Sequence, residues 1–125
     1  MTVTNLFGVA LAPLCTAIAE VESNNGETSD NIYQISVAYI EDVNRITGNR
    51  YEFTVQDRYI RWLAERMMVE YWQYYGNHYV RQTGKQPTAE ILARIHNGGP
   101  NGYLKPSTEP YWLKVKARLA EGGAK

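Results

Sequence analysis

Cysteine is almost absent from this chain. Cys15 is the only one, so no intramolecular disulfide can form and the fold has to rest on packing. Histidine is nearly as scarce: His78 and His96 are the only two. They lie too far apart in sequence for a local zinc-binding pair, so no metal is expected. No phosphate loop, dinucleotide fingerprint or nucleophile elbow occurs, and no cofactor is therefore expected. Net charge is lacking as well, the formal value being zero. With neither a dense basic run nor a recognised motif, nucleic acid is not an expected partner. The apolar stretch at residues 6–19, LFGVALAPLCTAIA, is too short to span a membrane. No Lys or Arg precedes it and Pro13 interrupts it, so it reads as a buried helix rather than a signal-peptide core.

What is present fits one globular unit. A length of 125 residues is enough to bury one core and too short for two, so residues 1–125 are expected to form a single domain. Aromatic residues are plentiful, with 10 Tyr and 3 Trp, which serve either a core or a carbohydrate-stacking cleft. Charge is polarised along the chain. Residues 1–57 carry two basic and eight acidic side chains, and residues 81–118 seven basic and two acidic ones. Such a separation can steer an anionic polymer to one wall of a cleft, or simply let the two halves neutralise each other.

Along the chain, Leu11, Leu14, Cys15 and Ile18 recur at helical spacing, with Pro13 tolerable in a first turn and an end near Ser23. The turn formers NNGETSDN predict a loop or tight hairpin, followed by a short β-prone NIYQIS. Ser36 is placed to cap a helix from Val37 to Thr47, stopped by Gly48. Thr54 and Asp57 have the spacing of a capping box. Ile60, Leu63, Met67, Tyr71 and Tyr75 then mark a long central helix that ends by Gly84 and Pro87, and Met67, Met68, Trp62 and Trp72 are expected in the core. A helix from Thr88 stops at the HNGGPNG loop, and Thr108, Glu109 and Pro110 open a last one ending at Gly122 and Gly123. The fold class is α+β, mainly helical, with one small β element.

Glu22 stands out on geometry. It lies four residues beyond Ile18 and so continues the apolar stripe, whereas Glu20 falls about 200° from it around the helix. Glu22 is therefore expected to be partly buried. Desolvation raises a carboxyl pKa, which a general acid protonating a glycosidic oxygen near neutral pH requires. Taken alone, the same position also suits a structural glutamate satisfied by backbone donors or an arginine.

Four segments, IAEVES at 18–23, YQIS at 33–36, ARIHNGGPNG at 93–102 and STEPYWLKV at 107–115, together resemble the invertebrate-type lysozymes, the destabilase family. The likeness runs in order over roughly residues 14–118, and GKQPTAEILARIHNGGP at 84–100 is its most specific part. It implies a lysozyme-like fold with a small β-hairpin, the first helix ending in the acidic catalyst, Glu22, and the hairpin carrying a second carboxylate. The implied reaction is hydrolysis of the β-1,4 link between N-acetylmuramic acid and N-acetylglucosamine. Carboxylates about 5 Å apart would retain configuration, and a wider gap would invert it. The family's second carboxylate sits in a longer, cysteine-rich loop, and only Glu27 and Asp30 remain here. Asp30 is preferred because it adjoins YQIS, although an Asx turn would also explain it.

The same likeness assigns Tyr33, Gln34, Ser36, His96, Asn97 and the Gly98 backbone to the substrate cleft, with Tyr103 and Lys105 flanking it. His96 at a helix end could equally be a cap. Peptidoglycan or a chito-oligosaccharide is the implied partner, a monomer the expected state, and a secreted or periplasmic location the one that substrate requires. Near-total loss of the family's cysteines marks a divergent member. Two further classes stay open: a lytic transglycosylase using Glu22 alone, and an inactive peptidoglycan-binding module. Isopeptidase chemistry, credited to some relatives, would have only Ser36 and His96 to draw on.

Overall fold

Residues 5–10 do not join the first helix. In the computed structural model, which describes residues 3–23 and 30–123, β1 (Asn5–Leu6) and β2 (Val9–Ala10) form an antiparallel hairpin with Leu6 opposite Val9. The turn between them is Phe7-Gly8, with φ of 53° and 80°. Two successive positive φ values give the turn the twist that matches paired strands. Phe7 is buttressed by α3 (Arg61–Thr83), where a Cβ on Gly76 would run into the Phe7 ring. The long apolar run is thus hairpin first and helix from Leu11 onward, and the β element among the described residues is here.

It is not at residues 31–36. Asn31 takes over the backbone groups that a neighbouring strand would have paired: its Oδ1 accepts from Ile35 N–H at 3.0 Å and its Nδ2 donates to Ile35 C=O at 2.9 Å. Gln34 has a φ of 52° and its N–H donates to Asn31 C=O. This side-chain-stabilised turn competes with strand formation. Residues 24–29, which include Glu27, lie outside the described residues.

The helices follow the sequence pattern closely. α1 runs Leu11–Glu22 with Pro13 in its first turn. α2, Val37–Ile46, starts under the Ser36 hydroxyl, which accepts from Tyr39 N–H at 3.1 Å. Asp57 accepts from Thr54 N–H at 2.8 Å, but the pair caps a 3₁₀ turn, Val55–Tyr59, rather than the long helix. α3 begins only at Arg61 and continues to Thr83, where Gly84 ends it at a φ of 72°. Ile60 and Trp62 are consequently outside the core, at 44% and 70% exposure. α4 (Ala89–Gly98) and α5 (Glu109–Gly123) complete the chain, separated by short 3₁₀ turns.

Leu14 and Ile18 of α1, Met67, Met68 and Trp72 of α3, Leu92 and Ile95 of α4 and Val115 of α5 form one buried cluster. Cys15 is buried with them, and burial pushes its thiol up to about 12. Trp72 Nε1 donates to Leu92 C=O at 2.8 Å, tying α3 to α4. The turn after α4 depends on a glycine, because a Cβ on Gly102 would lie 2.0 Å from the Arg94 carbonyl oxygen. Backbone cannot yield as a side chain can. Gly102→Ala should therefore cost about 3 kcal/mol in urea unfolding. Gly122→Ala, where nothing lies within 4 Å, should be neutral or slightly stabilising because alanine favours a helix.

Candidate active site

α1 ends at Glu22 with Ser23 as its C-cap, whose N–H makes the last helical bond, to Ala19 C=O at 3.0 Å. Glu22 keeps to the buried stripe, its side chain only 15% exposed. Its Oε2 lies 3.4 Å from His96 Nε2, and the His96 side chain is 2% exposed. The imidazole comes from the last turn of α4 and is held at both nitrogens. Nε2 lies 2.9 Å from Tyr33 C=O, and Nδ1 lies 3.1 Å from the Tyr39 hydroxyl. Both neighbours of Nε2 are acceptors, so the assignment that satisfies every group puts the proton on Nε2 and lets Tyr39 donate to Nδ1. Burial raises the Tyr39 phenol well above its ordinary pKa, which keeps that donor protonated.

Tyr111 of α5 approaches Glu22 from another side. Its hydroxyl is buried without a hydrogen-bond partner among the described residues, yet within electrostatic reach of the Glu22 carboxylate. Burial first, and Glu22 second, raise its pKa. Glu22 thus has an imidazole nitrogen of α4 against it and a phenol of α5 within electrostatic reach.

Beyond His96 the surface opens into a cleft of about 670 Å³ between the start of α2 and the end of α4, lined by Ser36, Tyr39, Tyr71, His96, Asn97 and Gly99. Asn97 is exposed on its wall. Glu41, Asp42 and Arg45 also line it. Asp42 is fixed by the Tyr75 hydroxyl and by Arg45, whose Nε donates to Oδ1 at 3.0 Å.

Other residues expected in the cleft are placed differently. The Tyr33 ring is fully buried, and its hydroxyl donates to Glu65. Tyr33 therefore meets the site through its backbone carbonyl and cannot present its ring to a sugar. Gln34 is exposed, with its amide folded back onto Asn31 C=O at 2.8 Å. Lys105 Nζ donates to Gly98 C=O at 2.7 Å, capping α4. The Gly98 backbone is pressed against Thr108, whose methyl would lie 2.5 Å from an added Cβ. Tyr103 is half-buried, edge-on to Tyr79 at 4.8 Å. Asp30 is exposed, at the point where the described chain resumes. Ser36 and His96 are not joined in a nucleophile–base pair: the hydroxyl caps α2 and both ring nitrogens are engaged elsewhere.

Sequence spacing did not reveal Tyr39, Tyr111 or the Glu41–Asp42–Arg45 wall. Tyr111 lies within the STEPYWLKV segment, the one signal that could have found it. The geometry separates two neighbours on α4. His96→Ala would strip partners from Tyr33 C=O and Tyr39 OH and should cost about 3 kcal/mol in urea unfolding. Asn97→Ala, at an exposed position, should shift stability by no more than ~0.5 kcal/mol, so that its effect appears in KM.

No family model matches the chain. Individual relatives do. The lysozyme of Ostrea edulis is 31% identical over 102 residues, covering 82% of this chain and 68% of that protein. Invertebrate-type lysozyme 6 of Caenorhabditis elegans is 37% identical over 95 residues, 73% of this chain and 67% of that one. Lysozyme 1 of Crassostrea virginica is 46% identical over a shorter 46 residues, 37% of this chain and 25% of its own. With a mainly helical α+β fold, these relatives define a lysozyme-type glycosidase whose substrate is a carbohydrate. The chain belongs to the invertebrate-type lysozyme family.

Proposed function

We propose that this lysozyme cleaves the β-1,4 linkage between N-acetylmuramic acid and N-acetylglucosamine in peptidoglycan, with Glu22 as general acid. The observation that carries the reading is the Glu22–His96 contact at 3.4 Å, in which a nearly buried carboxyl group at the end of α1 is oriented by an imidazole held at both nitrogens. Glu22 gives its proton to the glycosidic oxygen as the C1–O bond breaks, and the leaving sugar departs as an alcohol. Water then adds its hydroxyl to C1 and returns a proton to Glu22. A second carboxylate stabilises the developing oxocarbenium ion or bonds to C1. Asp30 is assigned to it, with Glu27 as the alternative. Asn97 and Ser36, which line the cleft, bind the sugars' hydroxyl and N-acetyl groups. Residues 1–125 act as a single lysozyme-like domain and a monomer, and the substrate calls for a secreted or periplasmic setting.

Clearing of a peptidoglycan suspension tests the assignment of the second carboxylate. Asp30→Asn should slow clearing by about 10²-fold, the usual cost of losing one charge aimed at the transition state, whereas Glu27→Gln should not. The opposite ranking moves the role to Glu27. If neither change matters, a single-carboxylate route ending in a 1,6-anhydro sugar replaces hydrolysis.

A further inference from the structure

α3 has two unlike faces. Tyr71 lines the cleft described above, while Trp62, Arg66 and Val69 line a second groove of about 780 Å³. At ~100° per residue these three side chains fall within roughly 60° of one another, and Tyr71 lies about 180° from their centre. The second groove therefore opens on the side of α3 turned away from the cleft. Its other wall is the 50–57 segment, where Tyr51 stacks on Phe53 with ring centres 5.1 Å apart and 17° between planes.

Trp62 at 70% exposure is the most exposed large hydrophobic side chain among the described residues. Beside it, the guanidinium groups of Arg50 and Arg66 each lie 5.4 Å from the centre of the Tyr51 ring. The Arg66 guanidinium is held in place by the Tyr51 hydroxyl at 2.9 Å and by Glu70, so Arg50 is the cation of this wall with no ion pair among the described residues. Asp57 adds a carboxylate to the same wall.

The geometry points to a second glycan-binding site here, one that holds a further stretch of the insoluble carbohydrate substrate while the cleft cuts. A pyranose is amphipathic, with C–H groups on its faces and hydroxyls around its edge. An exposed indole offers the matching flat apolar surface, and guanidinium and carboxylate groups around it can bond the hydroxyls and amides at the edge. A second contact with the same polymer raises the local concentration of substrate without altering the chemistry. The inference rests on the carbohydrate-substrate reading and is independent of which residues cleave.

The test pairs an insoluble with a soluble substrate. Trp62→Ala should fold normally, since its side chain is exposed, and should turn over a soluble chito-oligosaccharide, which needs the cleft alone, within about twofold of wild type. Co-sedimentation with insoluble peptidoglycan, measured in a Glu22→Gln background, should fall at least about threefold on loss of one stacking contact. Clearing of the suspension should fall with it, and Trp62→Phe should restore much of both. Unchanged co-sedimentation overturns the proposal and leaves the groove to a partner other than glycan. An equal loss on soluble and insoluble substrates also overturns it, because Trp62 would then serve the cleft or the fold.

Discussion

Glu22→Gln should abolish glycan cleavage while the protein's melting temperature holds or rises slightly. The amide keeps the size of the carboxyl group and can still accept from His96 Nε2–H, but it has no proton to transfer. General acid catalysis typically contributes 10²–10⁴-fold, so the residual rate should fall by at least about 10²-fold. Removing a partly desolvated acid has little cost for the fold. Glu20→Gln is the control on the same helix. Its carboxylate is 38% exposed and lies 3.6 Å from Arg118, on the side away from the site, and its rate should stay within a few-fold of wild type. Both are read from initial clearing rates alongside thermal unfolding.

Trp72→Ala should produce the largest loss of stability. The side chain is fully buried, and truncating a buried Trp costs about 3–5 kcal/mol against a total stability of about 5–15 kcal/mol for a domain. The change also removes the Nε1 bond to Leu92 C=O, the second bond of a carbonyl that otherwise serves only the helix ladder of α4. Because α4 carries His96, whose ring lies 6.2 Å from that of Trp72, activity should fall together with stability. Trp72→Phe keeps most of the volume and loses the hydrogen bond, and should cost about 1–2 kcal/mol. Urea denaturation of the two variants separates packing from the bond.

The helices were legible because 3.6-residue periodicity and caps agree in this chain: Ser36, Gly48, Thr88 and Gly84 all sit at or next to the ends their residue types favour. The hairpin was hidden inside an apolar run. Its turn needs a positive φ at Phe7, a conformation rare for a bulky residue, and only Gly8 hinted at it. At residues 31–36 the composition favoured a strand, but one Asn side chain supplied the hydrogen bonds that made a turn instead. Trp62 shows a limit of periodicity. An apolar residue in a first turn is buried only if the neighbouring segment covers it, and the 50–57 segment leaves it open.

For the site, Glu22 could be read from its stripe because burial of a helix face is a local property. The groups around it could not. Tyr33, Tyr39, His96 and Tyr111 come from the turn before α2, from α2 itself, from α4 and from α5, and only packing brings them together. Nor does a sequence reveal whether a residue acts through its side chain or its backbone. Tyr33 matched the expected segment, yet its ring enters the core and only its carbonyl meets His96.

Digestion of peptidoglycan in ¹⁸O-enriched water, followed by mass spectrometry of the released muropeptides, tests the mechanism most directly. Hydrolysis with Glu22 as proton donor predicts one ¹⁸O at each new reducing end, with no labelled product from Glu22→Gln. Unlabelled 1,6-anhydro products, or labelled products formed by Glu22→Gln at the wild-type rate, would contradict it.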